Sequence, residues 1–577
     1  MAEITAPEYI SPYVVTVSGG LVLDRDVYTM PVGAATILQN FEPSVAGGYR
    51  RLSGTAKYDT NLVGGATDTI LGVAIFADKV IAASGTIVQE SSGSGWSSID
   101  TGRTSAGRYR FEEYNFTTNE NRLIFADGAN FASFYNGTTV VDIKGSTTIS
   151  ATGSASSSST SLSVTSAAGI AEGMYIGGTN IGSGAKVSSV SGTTITMSVA
   201  TTGTISSGSV TFAGLGTAPT DPSMVAAFKN HMFYAGMSAE PNTLIFSALG
   251  DENDFTSGNG AGSLNVDSTI VAIKSFRESL MIFCEDRIYK LTGNALADFA
   301  IEPISRNVGC SDGFSVQEIG GDILFLAPDG LRTVAGTARI GDVELGTVSK
   351  QIQDRINDIG FNNISSVVIR GKSQYRLFYP TTGGLESSCK GLIGVLKSNP
   401  QGQLGWEYSD IRGIKPSCCV SGFVSGVETI IHGGYDGYVY KQESGNTFAG
   451  TAMTALYRSP DLTMGDAGIR KNMQRINVNY DPEGAVNVSL FVKYDFEDAG
   501  TPQPAAYTLT TADTAAVYDD SGSLYGSAIY GAEGMPIVRQ SVEGSGFTVV
   551  IRLTDTSSNP PITLKGFELE FTPGARM

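Results

Sequence analysis

The stretch MIFCEDRIYKLTG, residues 281 to 293, decides the fold: an apolar strand runs into an acidic turn and then into a second apolar or aromatic strand. The same phrase returns as VAIFADKVIAASG (73 to 85), LIFADGANFASFYNG (123 to 137), ILFLAPDGLRTVAG (323 to 336) and IIHGGYDGYVYKQESG (430 to 445). The copies beginning at Val73 and Leu123 start 50 residues apart, and those beginning at Met281 and Ile323 start 42 apart. Repeats of about 40 to 50 residues, each made of β-hairpins, are the signature of β-propeller blades.

Between Leu123 and HMFYAGMSAEPNTLIFSALG (231 to 250) the interval swells to 108 residues. Residues 146 to 213 account for the excess: they are rich in Ser, Thr and Gly, contain no proline, and carry only Glu172 and Lys186 as charges. Their first part, to about 160, has the composition of a flexible linker. Beyond it, β-branched and small residues alternate around Gly turns, as in a small all-β domain. Without these 68 residues the interval is 40, one blade. QYRLFYP at 374 to 380 and the copy at Ile430 continue the rhythm, so starts near 73, 123, 231, 281, 323, 374 and 430 predict six to eight blades.

The expected fold class is therefore all-β: a β-propeller of six to eight blades with an inserted small β module and a C-terminal β-sandwich-like domain. The opening segment, 1 to 58, mixes short strands with Pro31, Pro43 and two Gly pairs. Residues 59 to 145 are the first part of the propeller, 146 to 213 the inserted module and 214 to 449 the second part. Residues 450 to 577 lack the phrase and show long alternating strands such as VNVSLFVKYDF and ITLKGFELEF, a sandwich pattern. One stretch breaks the β rhythm. In 344 to 360, Leu345, Val348, Ile352, Ile356 and Ile359 are spaced three, four, four and three apart before Gly360, which predicts an amphipathic helix packed against the propeller.

Gly supplies 71 of the 577 residues, well above the usual share of about 7%, and charged residues only 16%, which favours turn-rich β structure. The net charge of −18 and pI near 4.6 exclude a protein that grips nucleic acid through a basic surface, and leave open one that lets DNA slide past. Five cysteines, Cys284, Cys310, Cys389, Cys418 and Cys419, lack paired spacing and read as reduced, buried thiols. With the first basic residue at Arg25 and no run of about 18 apolar residues, neither a signal peptide nor a membrane span is expected.

The inventory of reactive groups is thin. His231 and His432 are the only histidines, too few for a three-His zinc site or an HExxH helix, and both read as strand residues. Adjacent Cys418 and Cys419 diverge on a strand, so no metal is expected. There is no nucleophile elbow and no phosphate-binding P-loop, and SGNGAGS (257 to 263) reads as a flexible loop, so no cofactor is expected. The carboxylates Asp251, Glu252 and Asp254, or Glu285 and Asp286, could be offered as a glycosidase pair, yet acidic residues are also what hairpin turns use. The expectation is that the chain is not an enzyme.

Several runs carry a family resemblance. GGL (19 to 21), LQNFEPS (38 to 44) and GGYRRLSG (47 to 54) resemble the start of short-tailed phage nozzle proteins, the tail tubular protein B family, and of related tail hub and stabilisation proteins. The similarity continues in FRESLMIFCEDRIYKLTG (276 to 293), in 307 to 336, in GTVSKQI (346 to 352), in YRSPDLTMGDAGIRK (457 to 471) and in LKGFELEFTPGAR (564 to 576). Residues 169 to 198 resemble small β domains inserted in such proteins. The resemblance implies a structural virion protein of a phage tail, assembled in the host cytoplasm. It implies a homo-oligomer, a hexameric ring below an adaptor ring, that extends the ejection channel for double-stranded DNA, retains the genome and anchors tail fibres. Arg50 and Arg51, a compact basic pair in an acidic chain, are candidates for an inter-subunit contact. A receptor- or glycan-binding adhesin is the alternative, and a propeller glycosidase the third.

Overall fold

The computed structural model describes residues 11–26, 28–105, 107–116, 120–144, 149–170, 172–213, 216–335, 347–361, 363–380, 389–398, 404–511 and 537–576. Among the described residues the chain forms nine sheets, and seven strand groups make a propeller. Blade one runs from Ile70–Phe76 to Ser97–Thr101 and blade two from Arg110–Tyr114 to Val140–Asp142. Blade three runs from Met224–Phe228 to Gly262–Asn265 and blade four from Ile270–Phe276 to Ala300–Ser305. Blade five is Gln317–Ile319, Asp322–Ala327 and Gly330–Thr333; blade six runs from Ser365–Ile369 to Leu404–Ile411. Blade seven is Cys418–Val424, Val427–Gly433 and Val439–Gln442, and its fourth strand, Thr55–Lys57, comes from the opening segment. Tyr440 pairs with Lys57 and Gln442 with Thr55. The ring is closed by hydrogen bonds between remote parts of the chain, and the added strand covers the edge of Val439–Gln442.

The recurring phrase has a physical cause. The second strand of each blade is covered on both faces, so it reads as a continuous apolar run rather than an alternation. In blade two, Leu123 and Phe125 join the core shared with blade one, while Ile124 and Phe134 join the core shared with blade three. In blade four, Leu280 and Ile282 face blade three, and Met281 and Phe283 face blade five. The starts at 123, 231, 281, 323, 374 and 430 lie in or at second strands. The copy at Val73 instead begins on the innermost strand of blade one, whose second strand is Lys79–Ser84. Measured from Val80, the interval to Leu123 is 43 residues, in line with the others.

The inserted stretch forms its own six-stranded sheet between Ile149 and Ala213, with a separate core of Leu162, Ile176, Ile195, Val210 and Phe212 among others. At the other end of the molecule two sheets stack into a sandwich. One contains Ser11–Thr16, Phe41–Pro43, Tyr49–Arg51, Ile469–Pro482 and Ile562–Arg576. The second contains Ile37–Gln39, Met453–Arg458, Val486–Tyr494 and Val549–Ser557, and continues blade six through a parallel contact between Gln39 and Asp410. The opening segment is thus distributed over the sandwich, the junction and blade seven instead of standing apart. Its residues Val15, Leu38, Phe41 and Tyr49 share one core with Leu490, Leu553 and Leu569 of the sandwich and Leu326 and Leu377 of the blades.

The helix expected over 344 to 360 is much shorter. A 3-10 turn, Lys350–Ile352, leads into a single helical turn, Gln353–Asn357. Leu345 lies outside the described residues. Ile352, Ile356 and Ile359 are buried in the shared core, so the apolar stripe packs as its spacing predicts; the backbone around it turns away because Leu23 and Leu331 already engage the chain at Gln351 and Val348.

Candidate functional site at the propeller axis

The innermost strands of all seven blades surround a cavity of about 400 Å³. Blade two contributes most of its charge. In RYRFEEY (108 to 114), Tyr109 and Phe111 join the packing with blade one while Arg108, Arg110 and Glu112 alternate with them, and residues 108 to 113 all border the cavity. Lys274 of blade four, Gln317 and Glu318 of blade five, Ser365 and Arg370 of blade six and Cys419 of blade seven line it too.

Arg108 donates to the carbonyl of Ile364, ahead of blade six, and Arg110 to the carbonyl of Val271 in blade four at 3.2 Å. Phe314, on the turn before blade five, touches both: the Arg108 and Arg110 guanidiniums lie 3.6 and 4.4 Å from its ring centre. The three side chains therefore span the axis. Cations over an aromatic face are favoured most where water is excluded. Burial lowers the Arg110 guanidinium to about 10, opposed by Asp312 and aided by the like charge of Arg108. Asp312 accepts from the Phe314 amide at 2.7 Å; burial raises its carboxyl in spite of that bond and the two arginines. Glu112 is also raised by burial, with Lys274 opposing.

Of the residues singled out from the sequence, Cys418 and Cys419 line this cavity, and the arginine pair, the carboxylates and the histidines lie elsewhere. Arg51 is fully buried: its Nε is 3.1 Å from Asp555 Oδ2, and its terminal nitrogens donate to the carbonyls of Asn559, Ser557 and Asn446. Arg50 bonds Glu483 at 2.6 and 2.8 Å and lies 3.4 Å from Glu42. Both guanidiniums are thus engaged within the chain. Arg51 has no exposed surface to offer a second copy, because the opening segment is folded into the sandwich rather than displayed on it.

Of the carboxylates considered for glycoside chemistry, Glu252 and Asp251 tie remote segments together, and Asp254 and Asp286 make local contacts. Glu252 is buried against Arg122 of blade two, which also holds Glu120 at 2.7 Å and Glu172 of the inserted module at 3.2 Å. Asp251 pairs with Lys186 of the module at 3.2 Å, and Asp254 caps its own turn by accepting from Thr256 and Asn259. Asp286 pairs with neighbouring Arg287 on an exposed turn. His231 and His432 are buried strand residues; His231 Nδ1 lies 2.6 Å from the Ser247 carbonyl, and His432 stacks on Tyr440. The five cysteines are free thiols, and among the described residues no group of three metal-ligating side chains converges. The sequence does not single out the axial arginines, because Phe314 and Asp312 are remote from them; alternating charges within an aromatic strand are the one signal it carries.

No family model matches the chain, and no curated protein does. Solved structures do match. The extracellular domain of a putative one-component system from B. thetaiotaomicron is 10% identical with a TM-score of 0.35, covering 68% of this chain and 40% of that one. Sqt1 of Saccharomyces cerevisiae is 10% identical with a TM-score of 0.32, covering 67% and 98%, and the computationally designed Ika8 protein is 12% identical with a TM-score of 0.30, covering 67% and 99%. This chain thus spans less than half of the first of these and nearly all of the other two.

Proposed function

We propose that this chain is a structural virion protein of a phage tail, forming the nozzle ring that extends the DNA ejection channel, retains the genome and anchors fibres. The observation that carries the proposal is where the nozzle-like runs meet. Residues 38 to 44, 47 to 54 and 564 to 576 come from opposite ends of the chain, yet Phe41 pairs with Arg51, and Tyr49 with Leu564. Residues of 307 to 336 and 346 to 352 pack into the same core, through Leu324, Leu331 and Ile352. Runs that resemble one family separately thereby form one physical unit.

The axial cavity supports a particular version of this reading. Its volume of about 400 Å³ is in the range of small-molecule pockets, roughly 300 to 1,000 Å³, and Arg108, Phe314 and Arg110 cross it. In the proposed ring, DNA passes between copies and not through each propeller. A chain of net charge −18 suits that passage, since few phosphates would be neutralised and held. The adaptor ring and the fibres are the proposed neighbours. Quantitative mass spectrometry of purified particles, with antibody labelling of their tails, tests the assignment. Fixed copies per particle at the tail are expected; absence from particles, with saturable binding of the isolated chain to host-cell glycan, would support the adhesin instead.

A further inference from the structure

We propose that the axial cavity binds a small oxyanion, a carboxylate or phosphate group, through Arg108 and Arg110, with Lys274 on its wall. The charge balance is the first argument. Four basic side chains, Arg108, Arg110, Lys274 and Arg370, and three carboxylates, Glu112, Glu113 and Glu318, line the cavity, although the whole chain carries −18. Of the three, Glu113 already accepts from Asn121 at 3.2 Å.

The second argument is unspent hydrogen-bonding capacity. A guanidinium has five N–H donors. Arg108 and Arg110 each give one to a backbone carbonyl, and the buried Nε of Arg108 has no partner. Among the described residues no carboxylate lies within ion-pairing distance of either guanidinium. Asp312 attracts both from nearby, while its carboxylate accepts from the backbone at Phe314 and Ile364 rather than from either guanidinium. Both guanidiniums are half-buried, and an anion entering the cavity would supply the hydrogen-bonded counter-charge they lack.

Geometry supplies the third. Both guanidiniums lie over the Phe314 ring, which offers no hydrogen-bond acceptor oxygen, so the N–H donors not given to backbone carbonyls remain for a ligand. Carboxylate and phosphate oxygens match such forks, and charge-assisted bonds of this kind are about twice as strong as neutral ones.

The test uses the full-length chain in calorimetric titration and thermal melting, with inorganic phosphate and citrate as probes and sodium chloride at matched ionic strength as the control. One saturable site per chain is expected for at least one probe, and the tighter probe tells phosphate from carboxylate recognition. Arg110→Gln should weaken binding about tenfold or more, as expected for loss of charge-assisted bonds. Lys274→Gln, which leaves the Arg108–Phe314–Arg110 stack intact, should weaken it several-fold and serves if the first variant does not fold. Absence of saturable binding of both probes at roughly 10 mM, a concentration that would reveal even a millimolar site, overturns the proposal. So does unchanged affinity in either folded variant.

Discussion

The guanidinium of Arg51 and the carboxylate of Asp555 meet at 3.1 Å with both side chains sealed from solvent, and the contact joins the opening segment to the last third of the chain. Breaking such a buried pair on one side leaves an uncompensated charge, which costs about 3 to 5 kcal/mol. Arg51→Met is therefore expected to lower stability by that order in urea unfolding. Asp555→Leu in the same chain should restore part of the loss. A single-variant loss below about 1 kcal/mol, the range of a surface pair, would contradict the role assigned to this contact.

Closure of the ring is tested at Gly54. A Cβ there would lie 2.2 Å from the Thr447 carbonyl oxygen and 2.6 Å from its amide nitrogen, immediately before the strand that completes blade seven. Backbone cannot retreat as a side-chain tip can, so Gly54→Ala is expected to cost at least about 1 to 3 kcal/mol. Hydrogen exchange should accelerate first in Val439–Gln442, the strand paired with Thr55–Lys57. Unchanged protection there would contradict closure by this strand.

His432 is buried beside Tyr440, and burial lowers its imidazole from 6.5 to about 3, with Arg376 adding to the lowering and Asp436 opposing it. Between those two values the unfolded chain binds a proton that the folded chain refuses, so stability falls as pH drops from 6.5 towards 3. One such group contributes a slope of about 1.4 kcal/mol per pH unit. His432→Phe should flatten the dependence in that window. An identical slope in variant and parent would contradict the buried neutral state.

Glu443 acts in a lower window. Burial alone would raise its carboxyl, but Arg376 and Lys372 outweigh burial and bring it from 4.5 to about 2. Lys372 lies 2.6 Å away, and Glu42 shares both cations from the opening segment. Its stabilising effect is present above 4.5 and lost as pH falls towards 2. The stability difference between the parent and Glu443→Gln should be level above pH 5 and shrink below 4.5 in denaturant titrations. A difference independent of pH would contradict it.

These positions divide what the sequence makes legible from what it hides. Second strands such as Leu280–Cys284 are readable because both faces are buried, and that burial writes an apolar run into the chain. The inner strand of blade one is apolar for the same reason, which is why the copy at Val73 starts one strand early. Thr55–Lys57 carries no signal of its own: three residues cannot show alternation, and the partner strand lies near residue 440. The axial site is hidden for a related reason, since Arg108, Lys274, Phe314 and Ser365 come together only when the ring closes.

The inserted module should be separable. Ile149 and Phe212 are paired neighbours, so a short Gly/Ser turn can replace 149 to 212 without spanning a gap. Arg122 would keep Glu252 and Glu120 and lose Glu172. Because partly exposed ion pairs contribute little, the melting temperature should fall by less than about 5 °C. An insoluble product would contradict a module with its own core.

Cryo-electron microscopy of the purified full-length chain, and of particles containing it, tests the central proposal most directly. A closed six-fold ring is expected, with an axial opening between copies wide enough for duplex DNA and with Arg108, Phe314 and Arg110 in the axial cavity of each propeller. A monomer in both preparations, or an assembly without an axial opening, would contradict it.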